Sequence, residues 1–112
     1  MDSDPLSLTF AALADPTRRA ILNQLLHGEA AVGELAQPFD ISTRAISKHV
    51  AVLEAAGLVT RVRDRQRRPS RLRLEPFAEV EKWLVAYRDR WEARFDRIDQ
   101  NLARIQTKGE TK

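Results

Sequence analysis

Cysteine is absent from this chain of 112 residues. Its absence excludes disulfide bonds, thiolate metal ligands and a cysteine nucleophile. Apolar runs are short, and none approaches the roughly 20 residues that a membrane-spanning helix needs. Residues 1–5, MDSDP, are acidic and lack the basic segment and apolar core of a secretory signal. These absences predict a cytoplasmic protein with no membrane partner.

Residue groupings typical of catalysis are also missing. The two histidines, His27 and His49, are not accompanied by a cluster of further ligands, and each is expected to be structural. No serine lies in a nucleophile-elbow context, and the four glycines form no phosphate-binding loop. We therefore expect no enzyme activity, no metal site and no cofactor.

Arginine, by contrast, is concentrated in one segment. The net charge of the chain is only +3, yet residues 58–74 carry seven arginines against Asp64, a net charge of +6. Residues 1–40 carry two arginines against six acids, a net charge of −4. Basic charge gathered in one segment is expected of a polyanion binder. Double-stranded DNA is the partner that this distribution predicts.

Hydrophobic spacing and capping residues predict a mainly α fold with a small β-hairpin. Asp15-Pro16 and Ser42 are helix-start signals, and Gly57 is a stop signal. The expected elements are helices at 5–14, 16–27, 32–37, 43–56 and 75–106 and strands at 58–63 and 70–74. Alternation in the strands predicts that four side chains face the core, those of Thr60, Val62, Leu72 and Leu74. This order predicts a winged helix-turn-helix domain over residues 1–106 and a disordered tail over 107–112.

The fourth helix separates into an apolar and a polar side when its residues are placed at about 100° per residue. Hydroxyl groups and a guanidinium on the polar side suit base edges, and a lysine suits phosphate. Arginines at the hairpin tip suit the minor groove or the backbone. The predicted DNA contacts are Ser42, Thr43, Arg44, Ser47, Lys48, Arg65, Arg67 and Arg68. Arg18 and Arg19 are expected to be structural, with an ion pair to Asp15 as the simplest arrangement.

Apolar residues recur at intervals of three and four along the last helix. A helix of this length, roughly 45 Å at 1.5 Å per residue, exceeds what the rest of the domain can cover. The surplus predicts a second copy of the chain as the covering surface. The predicted contacts in this helix are Leu84, Tyr87, Trp91, Phe95, Ile98 and Leu102.

Three stretches resemble the ArsR family of bacterial winged-helix repressors: FAALADPTRRAIL at 10–22, VGELA at 32–36 and ISTRAISKHVAVLEAAGLV at 41–59. The pairs at 83–84, 87–88 and 91–92 look like those of a metal-independent branch that is often encoded beside START-like domain proteins. The resemblance implies a homodimeric repressor, often of its own operon. It also implies that the first helix, with Leu6 and Phe10, joins the last helix in the dimer interface.

The sequence departs from the family pattern at known metal sites. Ala31 and Gly33 stand where metal-sensing members carry cysteines, and no histidine follows His49. The hairpin also lacks the glycine and aromatic residues expected after its tip. The sequence predicts a sequence-specific, DNA-binding transcriptional regulator, a repressor that binds a near-palindromic operator. A winged-helix protein-interaction module and a nonspecific nucleic-acid binder stay open as alternatives, and so does the existence of a small-molecule effector.

Overall fold

A computed structural model describes residues 4–63 and 67–110, with side chains through residue 105. The elements are α1 (Pro5–Leu13), α2 (Pro16–Leu25), α3 (Val32–Ala36), α4 (Thr43–Ala55), β1 (Val59–Arg61), β2 (Ser70–Leu72) and α5 (Glu75–Glu110). Their order is the predicted one, and the fold class is confirmed as a winged helix-turn-helix.

Local capping explains where the helices begin and end. The Asp15 carboxylate accepts a hydrogen bond from the backbone N–H of Arg18 at 3.0 Å, and Pro16 follows at the first helical position of α2. The Ser42 hydroxyl accepts from the backbone N–H of Ala45 at 3.1 Å and so caps α4. Gly57 has φ +78°, which a side chain would strain, and it ends the segment after α4. These caps fix the ends of α4, the helix predicted to read DNA.

The hydrophobic core packs against one side of α4. Leu35 of α3 and Ile21 of α2 are fully buried together with Ile46, Val50 and Leu53, which lie on one side of α4. α3 and α4 pack directly against each other and form the helix-turn-helix pair. Because Ile46, Val50 and Leu53 are completely buried, the opposite side of α4 faces outward.

The hairpin is antiparallel, and Val59 pairs with Leu72 while Thr60 pairs with Arg71. Val59 is buried and Thr60 is exposed, so the predicted inward position of Thr60 is wrong by one residue. Leu72 faces inward as predicted and Val62 is half-buried, but Leu74 is 65% exposed. The alternation stops there because β2 ends at Leu72, two residues before the predicted strand end.

A backbone bridge fastens the hairpin to the loop before α3. The Ala30 N–H donates to the Ser70 carbonyl at 3.1 Å, and the Ser70 N–H donates to the Ala30 carbonyl at 2.8 Å. The Ser70 side chain is fully buried, and its hydroxyl has no hydrogen-bond partner within the described residues. A buried hydroxyl without a partner costs free energy, because it loses its hydration and gains nothing in return.

Replacing Ser70 with alanine is therefore expected to raise the free energy of unfolding by about 1 kcal/mol. Urea denaturation at a fixed protein concentration measures this change. Ser42→Ala is the matched control, since its hydroxyl caps α4, and that change should lower stability by about 1 kcal/mol. Equal losses for both variants would contradict the argument.

The chain divides into two compact units, residues 1–80 and 81–112. The first holds the helix-turn-helix, the hairpin and the start of α5, where Val80 is buried. The second is the rest of α5. The helix continues to Glu110, four residues into the segment predicted as a disordered tail. Residues 111 and 112 of that predicted tail lie outside the described residues.

Candidate nucleic-acid interface

The outward side of α4 carries the polar residues predicted from the sequence. Thr43, Arg44 and Lys48 are exposed, and Ser47 is half-buried. They occupy the first two turns of the helix. The hydroxyl of Ser42 serves as the cap of α4, so its contribution to any ligand is shared with that role.

The charges of this side have no ion-pair partner among the described side chains. Within residues 4–63 and 67–105, no carboxylate forms an ion pair with Arg44 or Lys48. An exposed guanidinium without an internal partner is available to an external acceptor. Hydroxyl, guanidinium and ammonium groups on one helix edge can bind base edges and phosphate oxygens.

Most described arginines of the hairpin, in contrast, are paired with acids. The pairs join Arg61 to Glu54 at 3.7 Å, Arg71 to Glu29 at 3.2 Å, Arg73 to Glu75 at 3.6 Å, and Arg67 to Glu34. The acids come from four places: α4, the loop before α3, the start of α5 and α3. Of these acids, Glu75 is the first residue of α5.

Arg63 and Arg68 differ from these four. Both are exposed, and neither forms an ion pair in the part of the chain that the structure describes. Arg68 has φ +43°, a left-handed conformation that glycine adopts more readily. The hairpin lacks a glycine, and Arg68 takes the conformation that a glycine would have taken. Arg65, also a predicted contact, lies outside the described residues.

Glu34 is a functional candidate that the sequence analysis missed. Its carboxylate accepts the backbone N–H of Ala31 at 3.1 Å and also pairs with Arg67. The pKa of Glu34 is lowered, mainly by the backbone hydrogen bond from Ala31 and next by the hydrogen bond from the Arg67 guanidinium. One carboxylate thus joins the start of α3 to the hairpin. The signal was its place three residues after the helix cap, where glutamate reaches back to the chain.

The second unit presents a continuous aromatic stripe. Trp83 stacks on Tyr87 with ring centroids 5.2 Å apart, and Trp91 stacks on Phe95 at 5.5 Å. The predicted interface residues of this helix are all exposed, namely Leu84, Tyr87, Trp91, Phe95, Ile98 and Leu102. Trp83, absent from the predicted set, shares their i, i+4 spacing. In the first unit Leu6 is half-buried and Phe10 is 37% exposed.

Other kinds of site find little support in the described residues. No group of three or more histidines or acids is arranged there to hold a metal ion. No helix in that part of the chain has both the length and the apolar character needed to cross a bilayer.

Comparison with known sequences identifies the central part of the chain. Residues 13–62 match the family described as "Helix-turn-helix domain". The chain is 56% identical over 48 residues to the HTH-type transcriptional regulator Rv2034 of Mycobacterium tuberculosis, covering 43% of this chain and 45% of that protein. It is 41% identical over 51 residues to the transcriptional repressor SdpR of Bacillus subtilis, covering 46% and 57%. The matches therefore span about half the length of these relatives.

Solved structures extend the likeness over most of the chain. The homodimeric winged helix-turn-helix DNA-binding domain of Mb0332 from Mycobacterium bovis, a possible ArsR-family regulator, is 28% identical with a TM-score of 0.62. That match covers 77% of this chain and 80% of that domain. The ArsR family transcriptional regulator RHA00566 is 42% identical with a TM-score of 0.75, covering 80% of this chain and 98% of that one. Identity at this level over nearly the whole of a family member shows that the chain belongs to the ArsR family of transcriptional regulators.

Proposed function

We propose that the chain is a homodimeric repressor that binds a specific DNA operator in the cytoplasm and controls its own operon. The observation that carries the proposal is the exposed edge of α4, where neither Arg44 nor Lys48 forms an ion pair within the described residues. An α-helix such as α4 fits into the major groove of DNA. Thr43 and Ser47 add short groups that accept or donate hydrogen bonds.

The hairpin supplies the second half of the proposed contact. Arg68 is exposed and unpaired in the described residues, so it is the first candidate for phosphate. Arg67 can bind phosphate if its guanidinium leaves Glu34 or contacts both groups at once. Arg65 stays a predicted contact. Such contacts set affinity and orientation without reading sequence.

The dimer is supported by the stripe on α5. Apolar residues scattered singly on a surface need no explanation, but a continuous aromatic stripe marks an interaction site. A second copy brings the same stripe, and two-fold pairing makes one surface complementary to itself. Leu6 and Phe10 of α1 are the further contacts proposed for the dimer. Two recognition helices then predict a near-palindromic operator with half-sites about 10 bp apart or a multiple of that distance.

A gel-shift experiment against the DNA upstream of the chain's own gene tests the proposal. It is run at two salt concentrations, with unlabelled random DNA as competitor. A specific repressor should keep its shift in excess competitor and bind more weakly at high salt. A nonspecific binder loses the shift to competitor, and a protein-interaction module gives none at either salt concentration.

Replacing Glu34 with glutamine is expected to strengthen binding to DNA of any sequence up to about fivefold. The change removes a carboxylate that competes with phosphate for Arg67, and an exposed ion pair is worth at most about 1 kcal/mol. Fluorescence anisotropy with random duplex DNA measures the effect.

Glu79→Gln is the control for this variant. Glu79 is exposed and forms no ion pair within the described residues, so the same charge change should have a smaller effect. Weaker DNA binding by the Glu34 variant would mean that the pair with Arg67 holds the hairpin in its binding position instead.

A further inference from the structure

Two arginines of α2 close the end of α1. Arg18 donates from Nε to the Ala12 carbonyl at 2.8 Å and from Nη2 to the Ala11 carbonyl at 3.0 Å. Arg19 donates from Nη1 to the Leu13 carbonyl at 2.7 Å. These carbonyls lie in the last turn of α1, which has no basic residue of its own, and the Ala11 carbonyl also accepts from the backbone N–H of Ala14 at 3.3 Å. The structural role expected of both arginines is confirmed, but their side chains bind these carbonyl groups, and the expected ion pair with Asp15 is not found among the described residues.

Arg18 also reaches the recognition helix α4. Its Nη1 lies 3.4 Å from Nδ1 of His49. A guanidinium has only donors, so this contact is a hydrogen bond in the tautomer that leaves Nδ1 free to accept. The Asp15 carboxylate, which caps α2, is 3.8 Å from the same Nδ1. A single guanidinium therefore contacts α1 and α4 from its place on α2.

We propose that Arg18 is a positioning residue that sets the rotation of α4 for reading DNA bases. The inference rests on the proposed function. His49 follows Lys48 and lies on the inner side of α4. A hydrogen bond to His49 therefore restrains rotation of α4 about its own axis. At a radius of about 5–6 Å, a rotation of 10° moves a surface group by about 1 Å. Such a shift is enough to break a hydrogen bond to a base edge, whereas a phosphate contact on a flexible side chain adapts.

The test compares two arginines that cap the same helix. Arg18→Ala removes both the cap and the contact with His49, whereas Arg19→Ala removes only a cap on α1. Affinities are measured for a duplex selected by the unmodified protein from a random-sequence library and for random duplex of equal length. Arg18→Ala should weaken binding to the selected duplex about tenfold and leave random DNA within about twofold. Arg19→Ala should leave the ratio of the two affinities unchanged.

Stability is separated from positioning by further measurements. Thermal unfolding sets the temperature at which every variant is folded, and Arg18→Lys replaces Arg18→Ala if the latter does not fold. His49→Gln, which offers an amide oxygen to Arg18, should retain most of the ratio. An unchanged ratio in the Arg18 variant, or an equal loss on both duplexes, overturns the inference.

A readout without DNA distinguishes this failure from failure of the proposed function. Residual dipolar couplings of backbone N–H groups report the orientation of α4 relative to α2. Arg18→Ala should reorient α4 by several degrees, and Arg19→Ala should not. If the unmodified protein prefers no sequence, the proposed function fails, and the couplings still decide whether Arg18 orients α4. Couplings identical to those of the unmodified protein contradict the inference.

Discussion

Replacement of Arg44 with alanine is expected to weaken operator binding by about 1–3 kcal/mol, or roughly 5- to 150-fold. The guanidinium is exposed at the start of α4 and has no ion pair in the described residues, so its loss removes a contact without freeing an acid. A guanidinium can form two hydrogen bonds to guanine, which other bases cannot match. Selection of preferred sequences by the variant should therefore show relaxed preference at one position in each half-site.

Lys48→Ala provides the comparison, because an ammonium group contacts phosphate as a point charge. This change should weaken operator and random DNA alike and reduce the slope of log affinity against log salt by about one unit. Binding curves at several salt concentrations measure both effects. Equal losses on operator and random DNA for the Arg44 variant would exclude base reading by that residue.

Replacement of Ile98 with glutamate is expected to separate the dimer into monomers at micromolar concentration. Burial of an isoleucine side chain contributes about 1.5–3 kcal/mol, and a symmetric interface buries two copies. The variant loses both contributions and would bury two carboxylates, which is strongly unfavourable. Sedimentation equilibrium measures the association, and operator affinity should fall with it because a single subunit contacts only one half-site.

Ala93→Glu is the matched control, since it places the same carboxylate on the same helix, on the side away from the apolar residues predicted for the interface. This variant should remain dimeric, and circular dichroism should show similar helix content in both proteins. Dissociation of both variants would point to a general effect of charge on α5. A dimeric Ile98 variant would show that this apolar side of α5 does not form the interface.

The helix ends were predictable because their causes are local. Asp15 caps α2 and Ser42 caps α4 as expected, through bonds to groups three residues away. The phase of β1 was not predictable from alternation. Leu58 and Val59 are adjacent, apolar and both buried, so a period of two can begin at either residue. The fold selects Val59, which places Thr60 outside.

The ion pairs of the hairpin depend on the tertiary fold. Arg67 and Glu34 are 33 residues apart in sequence, and Arg71 and Glu29 are 42 apart. The abundance of arginine predicted a basic surface but could not tell which arginines have internal partners. Arg18 shows the same difficulty in another form. A structural role was predictable, whereas its contact with His49, 31 residues away, requires α4 to lie beside α2.

These ion pairs change how the hairpin acts at a distance. Seven arginines and one acid give the segment a formal charge of +6, and the four paired glutamates reduce the local charge to +2. Beyond a screening length of about 8 Å at physiological salt, an approaching polyanion responds to the smaller value. Diffusional encounter is then only weakly accelerated by the hairpin. We therefore expect discrimination between partners to depend on how slowly each complex dissociates rather than on how fast it forms.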